Sequence, residues 1–485
     1  MRYKPGINKL TFGIILVIFF STVALYRHLF FITSPELSSV LSTEYRVSCL
    51  NFDTSPKPVY ECYEFEVKAE NHSIVFVRHE SGLTHKTIAF KEKGISKIRF
   101  TPNLGGYWII NNGRRVLIDS PRPHYAKGFV EALDGKWSRS AEHKPFIPQY
   151  IMYDKADIQN GIQTFVKEHG FTGFHITNLR DFLKNPKYFE TIIIETYRVG
   201  GVTHFWLWGD EQRKLTPNHF DGDVEFLYRE IIARLGPIPG WTIGYGFDLF
   251  EWATPRELAG WHEYWYGLTS YKHLMGARGH KNKYTDVASL DYASWEWHRP
   301  VLGDYRNHID RAKGKAVFSE DRFRIRNPSK YPEKDYSEEL TLMGLWESFF
   351  SGGVANIWGK RDKKGIYSEE YTSVNQIRFY RDIVDRYYGS NTKVFTSKKG
   401  IPCLKNNKQI LCFFRAANNI DFEFKAGNSL ELYDLKADIP KVFAINKLPY
   451  KTNERSNWLL IVDRHNDESL FDSNKGFKYE NYQNN

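Results

Sequence analysis

At 485 residues the chain exceeds one ordinary domain, so two or three are expected. Its net charge of +10 favours an anionic partner, either a membrane surface or an acidic polysaccharide. The absence of any helix-turn-helix, zinc-finger or RNA-binding signature argues against nucleic acid.

Residues 1–35 open with Arg2, Lys4 and Lys9, followed by an apolar run from Leu10 to Leu25 that resumes at Leu29–Ile32. A basic region before a hydrophobic one is the pattern of a signal anchor or signal peptide. With its extension the run approaches the roughly 20 apolar residues that span a bilayer. An uncleaved anchor is expected, with the positive N-terminus inside and the remainder facing the periplasm or cell exterior. Cleavage and secretion is the alternative.

Residues 36–125 alternate in short stretches such as YECYEFEVKA, HSIVFVRH and KIRFTP, and YWIINNGRRVLID holds a hairpin signal. The expectation is an N-terminal β-sandwich. From 144 to 390 the period changes: short β-branched or aromatic runs alternate with helical ones. Eight strands are predicted: PFIPQYIM, GFTGFHI, THFWLWG, WTIGYGF, LMGARG, ASLDYAS, KAVFSE and VANIWG. Thr254 and Pro255 read as N-cap and first residue of one helix, and Gly352 and Gly353 end another. The fold class is α/β, a (β/α)8 TIM barrel; no Gly-x-Gly-x-x-Gly follows a strand, and no cofactor or metal is expected. Short strands return over 394–485, predicting a C-terminal β-sandwich. The four cysteines fall in two close pairs, Cys49 with Cys62 and Cys403 with Cys412, as expected of disulfides in an oxidising compartment.

Barrel enzymes carry their reactive groups at the C-terminal strand ends. Those positions hold Trp208 and Asp210 after strand three, Tyr245, Asp248 and Glu251 after strand four, Arg278 and His280 after strand five, Trp295 and Trp297 after strand six, Glu320 and Arg322 after strand seven, and Trp358 after strand eight. Carboxylates among tryptophans suit glycosidic bond cleavage, in which one carboxyl protonates the leaving oxygen while a second attacks the anomeric carbon or activates water. Glu320 is the leading catalytic carboxylate, with Glu251 or Asp248 across the mouth as its partner. The remaining residues are expected to bind substrate. Lysines and arginines after strands five, seven and eight, among them Lys281, Arg324, Lys360 and Lys363, favour a sulfated or uronate-bearing glycan.

Three segments carry a resemblance: WTIGYGFDLFEW, KAVFSEDRFRIR and LWESFFSGGVANIWG. They resemble the cellulase-like clan of glycoside hydrolases, and especially its apiosidase-like group, in which a β-domain similar to FTPNLGGYWI precedes the barrel. The resemblance implies a glycosidase whose nucleophilic Glu follows strand seven, the position of Glu320. It also implies an acid/base Glu after strand four, usually within Asn-Glu; here Tyr245 and Gly246 occupy that place. The departure keeps two other readings open. One is a non-catalytic glycan-binding protein on a degenerate barrel; the other is a polysaccharide lyase with Tyr245 or His280 as base.

Overall fold

The computed structural model describes residues 49–51, 56–110, 113–177, 179–208, 222–246, 249–279, 289–296, 300–326, 337–422, 429–445 and 448–463. The expected membrane segment lies outside them. Among the described residues no helix is long and apolar enough to cross a membrane.

The first module is a β-sandwich. One sheet orders the strands Leu50–Asn51, Tyr63–Glu66, Ile95–Phe100 and Phe90–Glu92; the other orders Thr84–Ile88, Ile74–His79, Gly106–Ile110 and Arg115–Ile118. The alternation legible in HSIVFVRH is the physical one: along Ile74–His79 every second residue is buried. Val75, Val77, Trp108 and Val116 from one sheet meet Phe65, Ile98 and Phe100 from the other. The Cys49–Cys62 disulfide closes the entry to this module. Arg99, fully buried, ties the sandwich to the barrel by donating to Glu190 at 3.0 Å and to the carbonyl of Arg234 at 2.7 Å.

A three-stranded sheet (Val130–Leu133, Lys136–Arg139, Lys144–Pro145) follows, in a stretch where no element was expected. Asp134 and Gly135, both at positive φ, form its two-residue hairpin turn. Trp137 projects from this sheet into the N-terminal end of the barrel, where its indole N–H donates to the carbonyl of Val317. The sheet thus plugs the barrel floor.

The barrel strands are β1 (Gln149–Met152), β2 (Gly173–Ile176), β3 (Val202–Trp208), β4 (Trp241–Gly246), β5 (Met275–Gly276), β6 (Tyr292–Trp295), β7 (Ala316–Ile325) and β8 (Val354–Lys360). They are parallel, and β1 pairs with both β2 and β8. A parallel bridge between Gly279 and Trp295 closes the ring between β5 and β6. Strand β7 does not stop at Glu320, as the sequence suggested. It runs on to Ile325, and its register against β8 shifts between Ser319 and Arg322, so Glu320 sits in a bulge. Bulges re-aim side chains and recur beside reactive sites.

The surrounding helices are α1 (Ile158–Gly161, continued as a π-helix to Glu168), α2 (Pro186–Arg198), α3 (Gly222–Leu235), α4 (Pro255–Leu268), α5 (Leu302–Arg311), α6 (Glu338–Ser351) and α7 (Val374–Tyr387). Thr254 and Glu257 form a full capping box on α4, with Pro255 at its first turn. Gly352, at φ 118°, ends α6 in the left-handed conformation that glycine adopts without a Cβ penalty. Among the described residues no helix follows β5.

The C-terminal module departs from the expected two-sheet sandwich. Its described strands form one six-stranded antiparallel sheet, within which Cys403 and Cys412 are bonded across adjacent strands. Leu411, Phe413, Leu459 and Ile461 belong to the same core as Trp346 and Phe350 of α6. The alternate residues Cys412, Phe414, Leu460 and Val462 line the opposite face. Helix α6 already supplies the second layer that one face needs.

Candidate active site

Side chains alternate between the lumen and the helical layer along each barrel strand. The lumen receives Tyr150 and Met152 from β1, Val202 and Trp206 from β3, Tyr292 from β6, Phe318 from β7, and Ala355 and Ile357 from β8. Above the Trp137 plug this apolar column gives way to a polar cluster built from β2, β3, β6 and β7.

Glu320 is at the centre of that cluster and is fully buried. Its Oε1 lies 2.8 Å from the Tyr292 hydroxyl, 3.0 Å from Nε2 of His204 and 3.4 Å from the indole nitrogen of Trp206. The Ser294 hydroxyl donates to Oε2 at 2.6 Å. Nδ1 of His204 in turn lies 2.8 Å from Nδ1 of His175, itself buried on β2. Burial by itself would raise the pKa of Glu320. The hydrogen bond and positive charge of His204, together with donation from Ser294 and Tyr292, outweigh it and hold the carboxyl below the ordinary glutamate value. The result is a buried carboxylate kept ionised by converging donors.

Two glycines of β4 explain the space around it. A Cβ on Gly244 would overlap Oε1 of Glu320 and lie 2.6 Å from Cδ1 of Trp206. Residue 244 must be glycine because Glu320 occupies the place of its side chain. Gly246, where the resemblance puts an acid/base glutamate, has φ 145°, and a Cβ there would collide with the carbonyl oxygen of Trp208.

One carboxylate that the sequence reading did not select stands beside this cluster. Glu296 follows Tyr292 and Ser294 at two-residue spacing on the lumen side of β6. Its N–H donates to Gly279 at 2.9 Å, and its Oε2 lies 3.5 Å from Nη2 of Arg278. The parallel register ends with Ser294 opposite Phe318 and Trp295 opposite Ser319, and Glu296 and Glu320 are the next residues on the two chains. Neighbouring strands are separated by about 4.8 Å. Arg278, a predicted binding residue, is buried here, its guanidinium 5.3 Å from the ring centroid of Trp206.

The other predicted residues divide sharply. Trp208, Tyr245, Trp295 and Trp358 were expected to meet substrate, and each is instead buried outside the lumen. The indole of Trp208 donates to Tyr228 of α3. The hydroxyl of Tyr245 donates to the sulfur of Met275, and its ring meets Trp261 of α4. Trp295 stacks on His308 of α5 at 4.3 Å. Trp358 donates to Gln149 at 2.7 Å and packs on Phe323. Glu251 is exposed on a single 3-10 turn, Leu249–Glu251, and is not among the partners of Glu320. Asp210, Asp248, His280 and Trp297 lie outside the described residues, as does the side chain of Arg322, whose main chain sits opposite Ile357. Of the cationic rim, Lys360 is neutralised by pairing with Glu338 at 2.7 Å, and Arg324 donates to the Tyr367 hydroxyl.

Among the residues that sequence reasoning missed, Trp206, Ser294 and Glu296 carried a usable signal. Ser294 and Glu296 lie one position either side of the selected Trp295, and Trp206 two positions before the selected Trp208. His175 and His204 offered none, since a lone histidine inside an apolar strand is more often core than site.

No protein-family model matches the chain, and no curated protein sequence does. Among solved structures it is similar to a Bacteroides vulgatus protein whose assignment as a glycoside hydrolase is provisional; the TM-score is 0.64 at 13% identity, over 84% of this chain and 99% of that one. It is also similar to a glycoside hydrolase family 5 protein from the same species, with TM-score 0.51 and 11% identity, over 70% of this chain and 94% of the other. At such identities the likeness establishes the shared fold.

Proposed function

We propose that this barrel hydrolyses glycosidic bonds of a glycan, with Glu320 as the nucleophilic carboxylate. The observation that carries the reading is Glu320 itself: an ionised, fully buried carboxylate in a bulge midway along β7, aimed by four donors. It follows Ser319, the register partner of the last residue of β6, at the level of the strand ends where barrel chemistry is assembled. The family 5 glycoside hydrolase of like fold, and the provisionally assigned one, support the same class of reaction.

A second carboxyl is needed to protonate the leaving oxygen. Glu296 is the described carboxyl best placed for this, one strand from Glu320 and partly exposed. Asp248 is the competing choice. Export, anchoring through residues 1–35 and preference for an anionic glycan belong to the same proposal. They are supported by the basic, apolar N-terminus, the two disulfides and the net charge of +10.

Release of reducing ends from neutral, uronate-bearing and sulfated polysaccharides tests the reading. Wild-type protein should act on one class, and Glu320→Gln should abolish that activity while the fold persists. Undiminished hydrolysis by Glu320→Gln would refute the assignment. The closed position at Gly246 favours a second reading, a glycan-binding barrel without catalysis, which predicts saturable binding and no new reducing ends. A lyase base at Tyr245 has no support, because that hydroxyl points to Met275 and burial raises its pKa well above the ordinary tyrosine value.

A further inference from the structure

Of the two buried histidines behind Glu320, His204 is one of its four donors, and His175 has no part in the reading above. His204 is fully enclosed and His175 almost so. Their Nδ1 atoms are 2.8 Å apart, a separation that two ring nitrogens tolerate only when one carries a proton and the other offers a lone pair. His204 Nε2, 3.0 Å from Oε1 of an ionised carboxylate, must itself carry a proton. Two states satisfy these constraints. In the first, both rings are neutral and His175 donates to His204. In the second, one more proton sits on Nε2 of His175, and the shared proton moves between the rings. No hydrogen bond along the line is lost in either state.

We propose that His175 and His204 form a proton-holding pair that keeps Glu320 ionised and aimed before it attacks and as it departs, His204 as the positioning residue and His175 as its reserve. The inference rests on the glycosidase reading of Glu320. With the extra proton aboard, the line carries one negative and one positive charge and is neutral overall, which offsets the cost of burying a carboxylate. In the first step Glu320 forms a C–O bond to the anomeric carbon as the glycosidic C–O bond breaks, and the acid carboxyl gives its proton to the departing oxygen. Glu320 loses its charge while the pair keeps its proton. In the second step water adds to the anomeric carbon, its proton passes to the acid carboxyl, and Glu320 leaves as a carboxylate that the protonated pair stabilises. The other titratable groups facing the line are Tyr292 from β6 and Tyr150 from β1, with Arg278 across the Trp206 ring and Arg139 behind Tyr150. Burial keeps both tyrosines protonated, with pKa values raised above the ordinary one, so neither supplies a competing negative charge.

The test uses the full-length chain and the variants His175→Gln, His175→Phe and His204→Gln. With histidines labelled by nitrogen-15, the wild type should show scalar coupling between two Nδ1 nuclei across the shared proton, and all three variants should lose it. This readout needs no substrate. The kinetic readout uses whichever polysaccharide the wild type cleaves. His175→Gln should lower kcat roughly 10–100-fold with KM nearly unchanged, the scale seen when a hydrogen-bonding partner that orients a metal-ligating histidine is removed. It should also move the acidic limb of the pH profile upward, because Glu320 loses the positive charge that favours its ionised form. His175→Gln keeps a polar side chain should His175→Phe fail to fold. Absence of the coupling in the wild type overturns the inference, as does an unchanged pH profile in a folded His175→Gln. A wild type inert on every polysaccharide overturns the glycosidase reading and the catalytic role with it, whereas Glu320→Gln inactive beside an unaffected His175→Gln overturns the inference alone.

Discussion

A Cβ placed on Gly246 would run into the carbonyl oxygen of Trp208 on the neighbouring strand. The two residues are register partners in β3 and β4, so their approach is built into the sheet. The acid/base glutamate expected here is therefore excluded by backbone geometry, and no choice of rotamer would admit it. Gly246→Ala should cost about 2–4 kcal/mol, combining a φ of 145° with the overlap. Gly246→Glu should destabilise further without raising activity. Urea titration checks both, and a stable, more active Gly246→Glu would show that the strand end can open.

The partner of Glu320 is open to direct assay. Glu296→Gln should lower kcat/KM roughly 10²–10⁴-fold on a natural glycan, the range for loss of a general acid. The deficit should shrink on aryl glycosides whose leaving group needs no proton. If Asp248→Asn shows this leaving-group dependence and Glu296→Gln does not, Asp248 is the acid.

Trp295 and Trp358 test inside against outside. Both face helices, so Trp358→Ala should cost roughly 3–5 kcal/mol through lost packing and leave Gln149 without its indole donor. Molecules that remain folded should keep their affinity for glycan. Isothermal titration at a temperature below the lowered melting point separates the two effects, and lost binding in folded protein would return Trp358 to the site.

Glu347 of α6 accepts a hydrogen bond from the N–H of Leu302 at the start of α5 and pairs with Arg415 at 3.1 Å. Burial pushes its pKa up to about 7; Arg415 and the Leu302 N–H oppose the shift, and Asp304 adds to it. Arg415 is 59% exposed, so solvent screens its pull and burial prevails. The folded chain then holds this proton at pH values where the unfolded chain has released it. Stability contributed by the group is present below about 4.5 and declines as pH rises towards 7, by on the order of 3 kcal/mol at most. Glu347→Gln keeps an oxygen acceptor for Leu302 and cannot ionise. It should gain stability relative to wild type between about pH 5 and pH 8; an equal pH dependence in both proteins would show that Glu347 titrates normally.

Much of the architecture was legible before any coordinates. The eight strands, the Thr254 cap, the Gly352 stop and both disulfide pairs follow from local chemistry: period, capping side chains, φ preference and cysteine spacing. Glu320 was legible too, as a lone carboxylate closing an apolar strand. The β-sheet under the barrel floor was not, although Asp134-Gly135 marked its turn.

The facing of the barrel side chains was decided by the tertiary structure alone. An exposed strand such as Ile74–His79 announces its buried face by alternating apolar with polar residues. A barrel strand is buried on both faces, so THFWLWG and WTIGYGF carry no such contrast. Trp206 and Tyr245 therefore look alike in sequence, yet one reaches Glu320 and the other a helix. The polar cluster is likewise a product of closure. His175, His204, Ser294 and Glu320 come from four strands spread over 146 positions of the chain, and only the parallel register of β2, β3, β6 and β7 around one axis brings their side chains within hydrogen-bonding distance.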